Sequence, residues 1–228
     1  MAMQLSQVVP FGRSLDEYSQ MFSLTAADLH QPILSAADGP ASFNAEGTAK
    51  GYSIQSCDPL YAFSADDIRD RFYTVRDDII EQIRQSPDDW IWTYHASPDD
   101  LSERRSQVTE RFAADFDLGK QQGRYTIGEL PHLPYADDAY RLGLCSHFLF
   151  LYSEQRDLAF HIAAIDELLR ICPEVRIFPL LSLSLARSPH LAAITQHLTA
   201  SGHSWKIEPV KYELQRGGNE MLRIIRAA

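Results

Sequence analysis

The stretch ILSAADGPASF, residues 33–43, decides the interpretation of the fold. An apolar run gives way to a turn of small residues, and a segment of weak helical character follows from Phe43. A strand, a tight turn and a helix in this order can seat a nucleotide-like ligand, because small side chains let the backbone approach and free N–H groups face the ligand. An ordinary strand-to-helix turn that uses Gly39 for a positive φ explains this stretch equally well on its own.

A second feature lies at the end of the next predicted strand, YSIQSC (52–57). Asp58 follows this strand and stands 19 residues after Gly39. An acid about 20 residues beyond a Gly-rich turn can accept hydrogen bonds from both ribose hydroxyls. Asp58-Pro59 is also a common way to end a strand. The spacing of the two features favours a ligand that contains a nucleoside.

The rest of the chain shows an α/β rhythm on both sides of a helical stretch. Strands are predicted within 31–36, 52–57, 124–130, 141–150 and 175–181, and helices within 43–51, 154–172 and 188–201. Strands that alternate with helices are expected to be parallel. Gly217 and Gly218 predict a tight hairpin between two final strands, 205–214 and 220–226, so the sheet is expected to end in an antiparallel strand.

Two segments stand apart from this α/β pattern. Residues 64–122 predict helices capped by Ser64 and Ser97, and the arginines of this stretch alternate with acids, which is typical of a solvated face. We predict one domain over 1–228, with 64–122 as a helical insertion or cap and 1–30 as an N-terminal arm. The arginines are Arg69, Arg71, Arg76, Arg84, Arg104, Arg105 and Arg111.

Composition excludes several classes of protein. The 228 residues include 21 basic and 31 acidic side chains, and a net charge of −10 argues against a protein that mainly grips nucleic-acid phosphates. Three widely spaced cysteines exclude a disulfide framework and a thiolate zinc site, and the histidines show no metal-binding spacing, so we predict no metal. Without a signal peptide pattern or a membrane-spanning apolar run, the prediction is a cytoplasmic protein with no membrane partner.

A resemblance to a known family appears in GELPHLPYADDAYRLGLCSHFLFLYS, residues 128–153. This segment is similar to the pattern G-D-A-x-x-L-P-F-x-D-x-S-F-D-L-V-x-S of class I S-adenosylmethionine-dependent methyltransferases. Downstream, residues 162–181 are similar to the helix and fifth strand of that family. The resemblance covers roughly 31–63 and 123–228. The matching positions are Glu129, Leu133, Pro134, Tyr135, Asp137 or Asp138, Tyr140 and 142–146.

The resemblance implies a Rossmann-like α/β fold. Its sheet is expected to have seven strands, mostly parallel, with helices on both faces and an antiparallel C-terminal hairpin strand. The helical insertion is an addition to this fold. The resemblance also implies S-adenosyl-L-methionine as the cofactor. Asp58 is expected at the ribose, Glu129 and Leu130 at the adenine, and Pro59 and Leu60 against its ring. The remaining expected cofactor-binding residues are Ser35, Ala37, Asp38, Gly39, Pro40 and Ser146.

Candidates for catalysis and for covering the site come from position in the predicted fold. His147 follows the fourth predicted strand, where α/β sheets place their ligands, and it is our candidate general base. An equally good interpretation is a histidine that caps this strand. Tyr18 and Phe22 lie on a predicted helix over 14–22 that can fold over the site as a lid, or can simply dock on the sheet.

The sequence therefore predicts S-adenosylmethionine-dependent methyl transfer to a small-molecule acceptor whose reacting atom is not specified. The alternative is a methyltransferase-like binding or regulatory protein without catalysis, because Ser35 to Ala41 keeps only one glycine of the family's D-L-G-C-G-P-G turn. A dinucleotide oxidoreductase is disfavoured, since its G-x-G-x-x-G needs glycines where Ala37 and Ser42 stand. The oligomeric state is left open.

Overall fold

The computed structural model describes residues 9–227, and its centre is a mixed seven-stranded sheet. The strand order is β3-β2-β1-β4-β5-β7-β6. Strands β1 to β5 are parallel, and β7 runs antiparallel to both β5 and β6. This confirms the predicted sheet. The strands are β1 (Ile33–Ala36), β2 (Ile54–Cys57), β3 (Tyr125–Thr126), β4 (Leu142–Ser146), β5 (Glu174–Phe178), β6 (Ser204–Pro209) and β7 (Glu220–Ile225).

Helices cover both faces of the sheet. Alternate residues of one strand point to opposite faces, and Leu34 and Ile33 of β1 belong to two different apolar clusters. The cluster with Leu34 includes α6 and α7, and the cluster with Ile33 includes α1, α4 and α5. The helices are α1 (Leu15–Met21), α2 (Ala26–Leu29), α3 (Phe43–Ala49), α4 (Ala65–Gln85), α5 (Pro98–Gln121), α6 (Leu158–Ile171) and α7 (Leu191–Ala200). Within residues 9–227, no helix is long and apolar enough to cross a bilayer.

Four predicted features differ from the structure. Strand β3 has two residues, because the chain leaves the sheet edge at Ile127 and turns inward at Gly128, where a Cβ would lie 2.6 Å from Cys57 Sγ. The tight hairpin at Gly217 and Gly218 is wrong, since ten residues, 210–219, connect β6 to β7. The fourth strand stops at Ser146, and Asp157 caps α6 by accepting the N–H of Phe160, so α6 begins later than predicted.

The segment 64–122 folds as two long helices that pack side by side. Hydrogen bonds join Tyr73 to Glu110, Arg76 to Ser106 and Arg84 to Asp99. Residue numbers increase along α4 while those of their partners decrease along α5, so the two helices are antiparallel. A small aromatic cluster joins this pair to the edge of the sheet. It consists of Tyr61, Ile68, Phe112, Phe116 and Tyr125.

The prediction that Arg105 lies on a solvated face is wrong. Arg105 is fully buried and donates two hydrogen bonds to the buried carboxylate of Glu17, at 2.8 and 2.6 Å. Tyr212, in the link between β6 and β7, donates to the same carboxylate at 3.1 Å. A bidentate pair of this kind compensates both charges where water is excluded. It therefore fastens α1 to α5 and to the C-terminal part of the sheet.

We expect Arg105→Met to lower the free energy of unfolding by about 3–5 kcal/mol, because it leaves the Glu17 carboxylate buried without its counter-ion. Urea unfolding followed by circular dichroism measures the loss. Arg69→Met is the matched control, since Arg69 pairs with the exposed Asp66 on the surface of α4 and its removal is expected to cost much less. Equal losses in the two variants would contradict a structural role for the buried pair.

Candidate functional site

The principal cavity lies beyond the C-terminal ends of β1, β2 and β4 and has a volume of about 350 Å³. The chain passes from β1 outward to β2 and β3 and then returns to β4 on the other side of β1, so the connections diverge at this point. Such a switch point leaves a crevice in which α/β proteins bind ligands. Ten of the predicted site residues line it: Tyr18, Ala37, Asp38, Asp58, Pro59, Leu60, Glu129, Leu130, Ser146 and His147.

The other predicted site residues lie elsewhere. Ser35 is fully buried behind the turn, and Gly39 and Pro40 shape the turn without lining the cavity. Phe22 is fully buried against Phe178, with ring centroids 6.4 Å apart, and it lines no cavity. The structure thus places Phe22 in the core, and α1 docks on the sheet instead of covering the site.

Asp58 fixes the turn that follows β1. Its two carboxylate oxygens accept the N–H groups of Gly39, at 2.9 Å, and of Leu60, at 2.8 Å. Burial raises the pKa of Asp58 to about 6, and these two N–H groups oppose the shift. Ala37 and Gly39 both have φ of +54°, a conformation that glycine adopts easily and alanine does not. The carboxylate therefore holds a strained turn and also borders the cavity.

Asp38 lies inside the same turn and accepts hydrogen bonds from three hydroxyl groups. Ser35 Oγ and Ser56 Oγ each lie 2.5 Å from its carboxylate, and the third donor is the Tyr18 hydroxyl. Burial raises the pKa of Asp38 to about 6, against the opposing effect of these hydroxyls. Asp38 thus ties β1 to β2 and to α1 at the floor of the cavity.

His147 occupies the first position after β4 with φ of +52°. Its backbone N–H donates to Phe178 O at 2.7 Å, and its Nδ1 lies 2.9 Å from Ser146 Oγ. Burial, and next the positive charges of Arg13 and Arg105, hold the pKa of His147 well below its ordinary value. The imidazole is therefore neutral at neutral pH, and within residues 9–227 no hydrogen bond joins its Nε2 to another group.

A second, smaller cavity of about 80 Å³ meets the first one at His147. Both cavities are lined by Val9, Phe11, Arg13 and His147. The arm that carries Arg13 passes close to the turn after β1, because a Cβ at Gly12 would lie 2.1 Å from Pro40 O. Gly12 therefore permits the contact that brings Arg13 between the two cavities.

Arg13 and Arg105 are the site residues that the sequence prediction missed. Arg13 precedes the N-cap of α1 in the triplet Phe11-Gly12-Arg13, and a glycine beside a lone cation is a weak signal. Arg105 lies among alternating charges, where only the three-dimensional packing distinguishes a buried arginine from a solvated one. Within the described part of the chain, no group of three His, Cys, Asp or Glu side chains is placed to hold a metal ion.

The order of the strands defines the fold. The order β3-β2-β1-β4-β5-β7-β6 with an antiparallel β7 is the fold of the class I methyltransferases, as the resemblance implied. The chain is 33% identical over 225 residues to a Methanocaldococcus jannaschii protein described as uncharacterized protein MJ0045, and the match covers 98% of this chain and 99% of that protein. The chain belongs to the same family as that archaeal protein. No protein-family model matches it.

Several solved structures are similar in shape at low sequence identity. Magnesium protoporphyrin IX methyltransferase from Synechocystis PCC 6803 with bound SAH is 13% identical, with a TM-score of 0.49, over 93% of this chain and 83% of that one. A candidate S-adenosylmethionine-dependent methyltransferase from Methanococcus maripaludis is 12% identical, with a TM-score of 0.47, over 94% of this chain and 84% of that one.

The raised pKa of Asp58 predicts a pH dependence of stability. Its value rises from 3.8 to about 6 on folding, so its contribution to stability is full below about pH 4 and is lost as the pH rises through about 6. We expect the unfolding free energy of the wild type minus that of Asp58→Asn to fall by about 1–3 kcal/mol between about pH 4 and about pH 7.

Urea unfolding at a series of pH values measures this difference. Asp137→Asn is the matched control, because it removes an exposed carboxylate far from the cavity lining. If the difference in unfolding free energy between the wild type and Asp58→Asn stays constant or increases with pH, then the pKa of Asp58 is not raised by burial.

Proposed function

We propose that the chain is an S-adenosylmethionine-dependent methyltransferase that acts on a small-molecule acceptor. The observation that carries this proposal is the meeting of Asp58 from the end of β2 and His147 from the end of β4 on one cavity at the switch point. A ribose-binding acid and a neutral base on one crevice suit a nucleoside cofactor next to a reacting acceptor.

The chemical types of the residues that line the cavity match the groups of S-adenosylmethionine. Asp58 borders it with a carboxylate that has free lone pairs beyond its two backbone hydrogen bonds, so it can accept ribose hydroxyls. Leu60 and Leu130 supply apolar surface for the adenine ring, with Pro59 and Glu129 beside them. A volume of about 350 Å³ falls within the ordinary range of small-molecule sites.

The turn after β1 would face the methionine part of the cofactor. Asp38 is the acid nearest to this position, and we assign it the ammonium group. Ser35, Ser56 and Tyr18 orient its carboxylate by hydrogen bonds. Ala37 borders the cavity directly, while Gly39 and Pro40 support the turn from behind. Ser146 acts next to the base, through its contact with His147.

When bound, S-adenosylmethionine supplies an activated methyl group, which forms a bond to the acceptor as the bond to sulfur breaks and its electron pair returns to the sulfur. The chain contributes position and, where the acceptor must lose a proton, a base. His147 Nε2 takes that proton. Ser146 Oγ also lies 4.0 Å from Met21 Sδ and can direct its O–H there, so that Nδ1–H donates to Ser146 and leaves Nε2 with a free lone pair.

Asp58→Ala is expected to weaken the binding of S-adenosylhomocysteine by at least about tenfold, because it removes the acceptor of the ribose hydroxyls and loosens the turn at Gly39. Isothermal titration calorimetry measures the affinity. Asp137→Ala is the control and is expected to bind as the wild type does. Unchanged affinity in Asp58→Ala would place the cofactor elsewhere.

His147→Gln is expected to lower kcat by about 10²–10⁴-fold and to leave the affinity for S-adenosylhomocysteine unchanged, because the variant loses the base and keeps the cofactor cavity. The assay follows S-adenosylhomocysteine formation with the best acceptor found in a small-molecule screen. Equal turnover by the variant would remove His147 from the mechanism.

A second candidate function is that of a methyltransferase-like binding protein without catalysis. The observation that favours it is that both carboxylates of the turn, Asp38 and Asp58, already accept hydrogen bonds from the protein. Calorimetry and the turnover screen separate the two candidates, since binding of S-adenosylmethionine without methyl transfer to any acceptor would favour the binding protein.

A further inference from the structure

The second cavity is lined by a buried cation, Arg13, for which residues 9–227 show no salt bridge. Within the same residues the Arg13 guanidinium makes one hydrogen bond, from Nη1 to Phe11 O at 2.5 Å. Its Nε is buried and has no partner within residues 9–227. Burial and the neighbouring Arg105 lower the pKa of Arg13 to about 10, so the group remains a cation at neutral pH.

The nearest buried acid is already occupied. Glu17 accepts both guanidinium nitrogens of Arg105 and the backbone N–H of Ser14, so its charge is compensated without Arg13. None of the described residues that line the second cavity is Asp or Glu. A buried cation without a counter-ion is costly, and a bound anion would remove that cost.

The rest of the second cavity is mostly apolar, and Arg105, His147, Tyr152 and Gln215 are its other polar lining residues. Ile79, Ile83, Trp90, Leu101, Leu183 and Leu214 form most of its wall. Gln215 also lines it, is only 9% exposed, and its Oε1 is buried without a hydrogen-bond partner. An apolar wall with a few convergent polar groups is typical of a site for a small molecule.

The arm and the helical segment build this cavity together. Arg13 comes from the residues before α1, Ile79 and Ile83 come from α4, and Leu101 comes from α5. His147 lines this cavity and also borders the proposed cofactor site. A molecule held there has the candidate base on one side and the cofactor cavity beyond it.

We infer that the second cavity is the acceptor site and that it selects a small anion with an apolar body, whose carboxylate or other anionic group pairs with Arg13. This inference rests on the proposed methyl-transfer function. A guanidinium group recognises such an anion through paired, charge-assisted hydrogen bonds, while the aliphatic wall receives the remainder of the molecule. The proposed cofactor cavity differs in that acids also line it, namely Asp38, Asp58 and Glu129, next to Arg13, Arg71 and Arg156.

Calorimetry with hexanoate and its neutral isostere hexanamide tests the inference, with and without S-adenosylhomocysteine. We expect the wild type to bind hexanoate at least about tenfold more tightly than hexanamide. Arg13→Met keeps an unbranched, apolar side chain and removes the charge, and it is expected to abolish this preference. Arg13→Lys is expected to restore part of it. Arg111→Met is the control, because Arg111 is exposed and pairs with Glu46.

Two results would overturn the inference. Equal binding of hexanoate and hexanamide to the wild type, or no binding of either at millimolar concentration, would exclude an anion site, and this comparison needs no variant. A loss of S-adenosylhomocysteine affinity in Arg13→Met, with unchanged affinity for 5′-methylthioadenosine, would assign Arg13 to the carboxylate of the cofactor instead.

Failure of the proposed function gives a different result. If S-adenosylhomocysteine does not bind the wild type at all, the methyltransferase proposal is wrong. The preference for hexanoate in the absence of S-adenosylhomocysteine then still decides whether the cavity selects anions through Arg13.

Discussion

The buried ion pair between Glu17 and Arg105 is the interaction on which the arrangement of the site depends. It joins α1 to α5 and, through Tyr212, to the link between β6 and β7, so three distant parts of the chain meet at one carboxylate. Since two opposite charges without water must stay paired, these elements are held in a fixed relation. The same pairing occupies Glu17 and leaves Arg13, four residues earlier, without an acidic partner in the part of the chain that the structure describes. One interaction thus contributes to stability and also sets the charge of the neighbouring cavity.

The turn after β1 shows how a turn with a single glycine can keep a ligand-binding geometry. Ala37 takes a positive φ that costs free energy in an alanine, and Asp38 and Asp58 hold the turn from its two sides through hydroxyl and N–H donors. The cost is a pair of buried acids whose pKa values both rise to about 6. The hydrogen bonds that replace the missing glycines therefore involve two acids whose contribution to stability is lost as the pH rises through about 6.

Much of the fold and part of the site follow from local sequence patterns. The apolar runs separated by helices predict the parallel strands, and Asp58 is found because its spacing from Gly39 has a physical reason. The patterns fail where tertiary contacts decide the outcome. Phe22 looks like a lid residue on an amphipathic helix, but its ring is buried against Phe178. Arg105 looks solvated because its neighbours are charged, and only the distant Glu17 explains its burial.

The two cavities differ in their acids. Asp38, Asp58 and Glu129 line the proposed cofactor cavity, next to Arg13, Arg71 and Arg156. The second cavity is lined by Arg13 and Arg105, and none of its described lining residues is Asp or Glu. Burial, and next the two arginines Arg13 and Arg105, lower the pKa of the His147 imidazole, so it is neutral and can receive a proton. An anion paired with Arg13 would weaken the contribution of that arginine and make the imidazole a stronger base. Binding of the acceptor would then activate the group that deprotonates it. A neutral acceptor would leave the charge of Arg13 without a counter-ion and would leave His147 a weak base. An anionic acceptor is therefore favoured both by its pairing with Arg13 and by its effect on the pKa of His147.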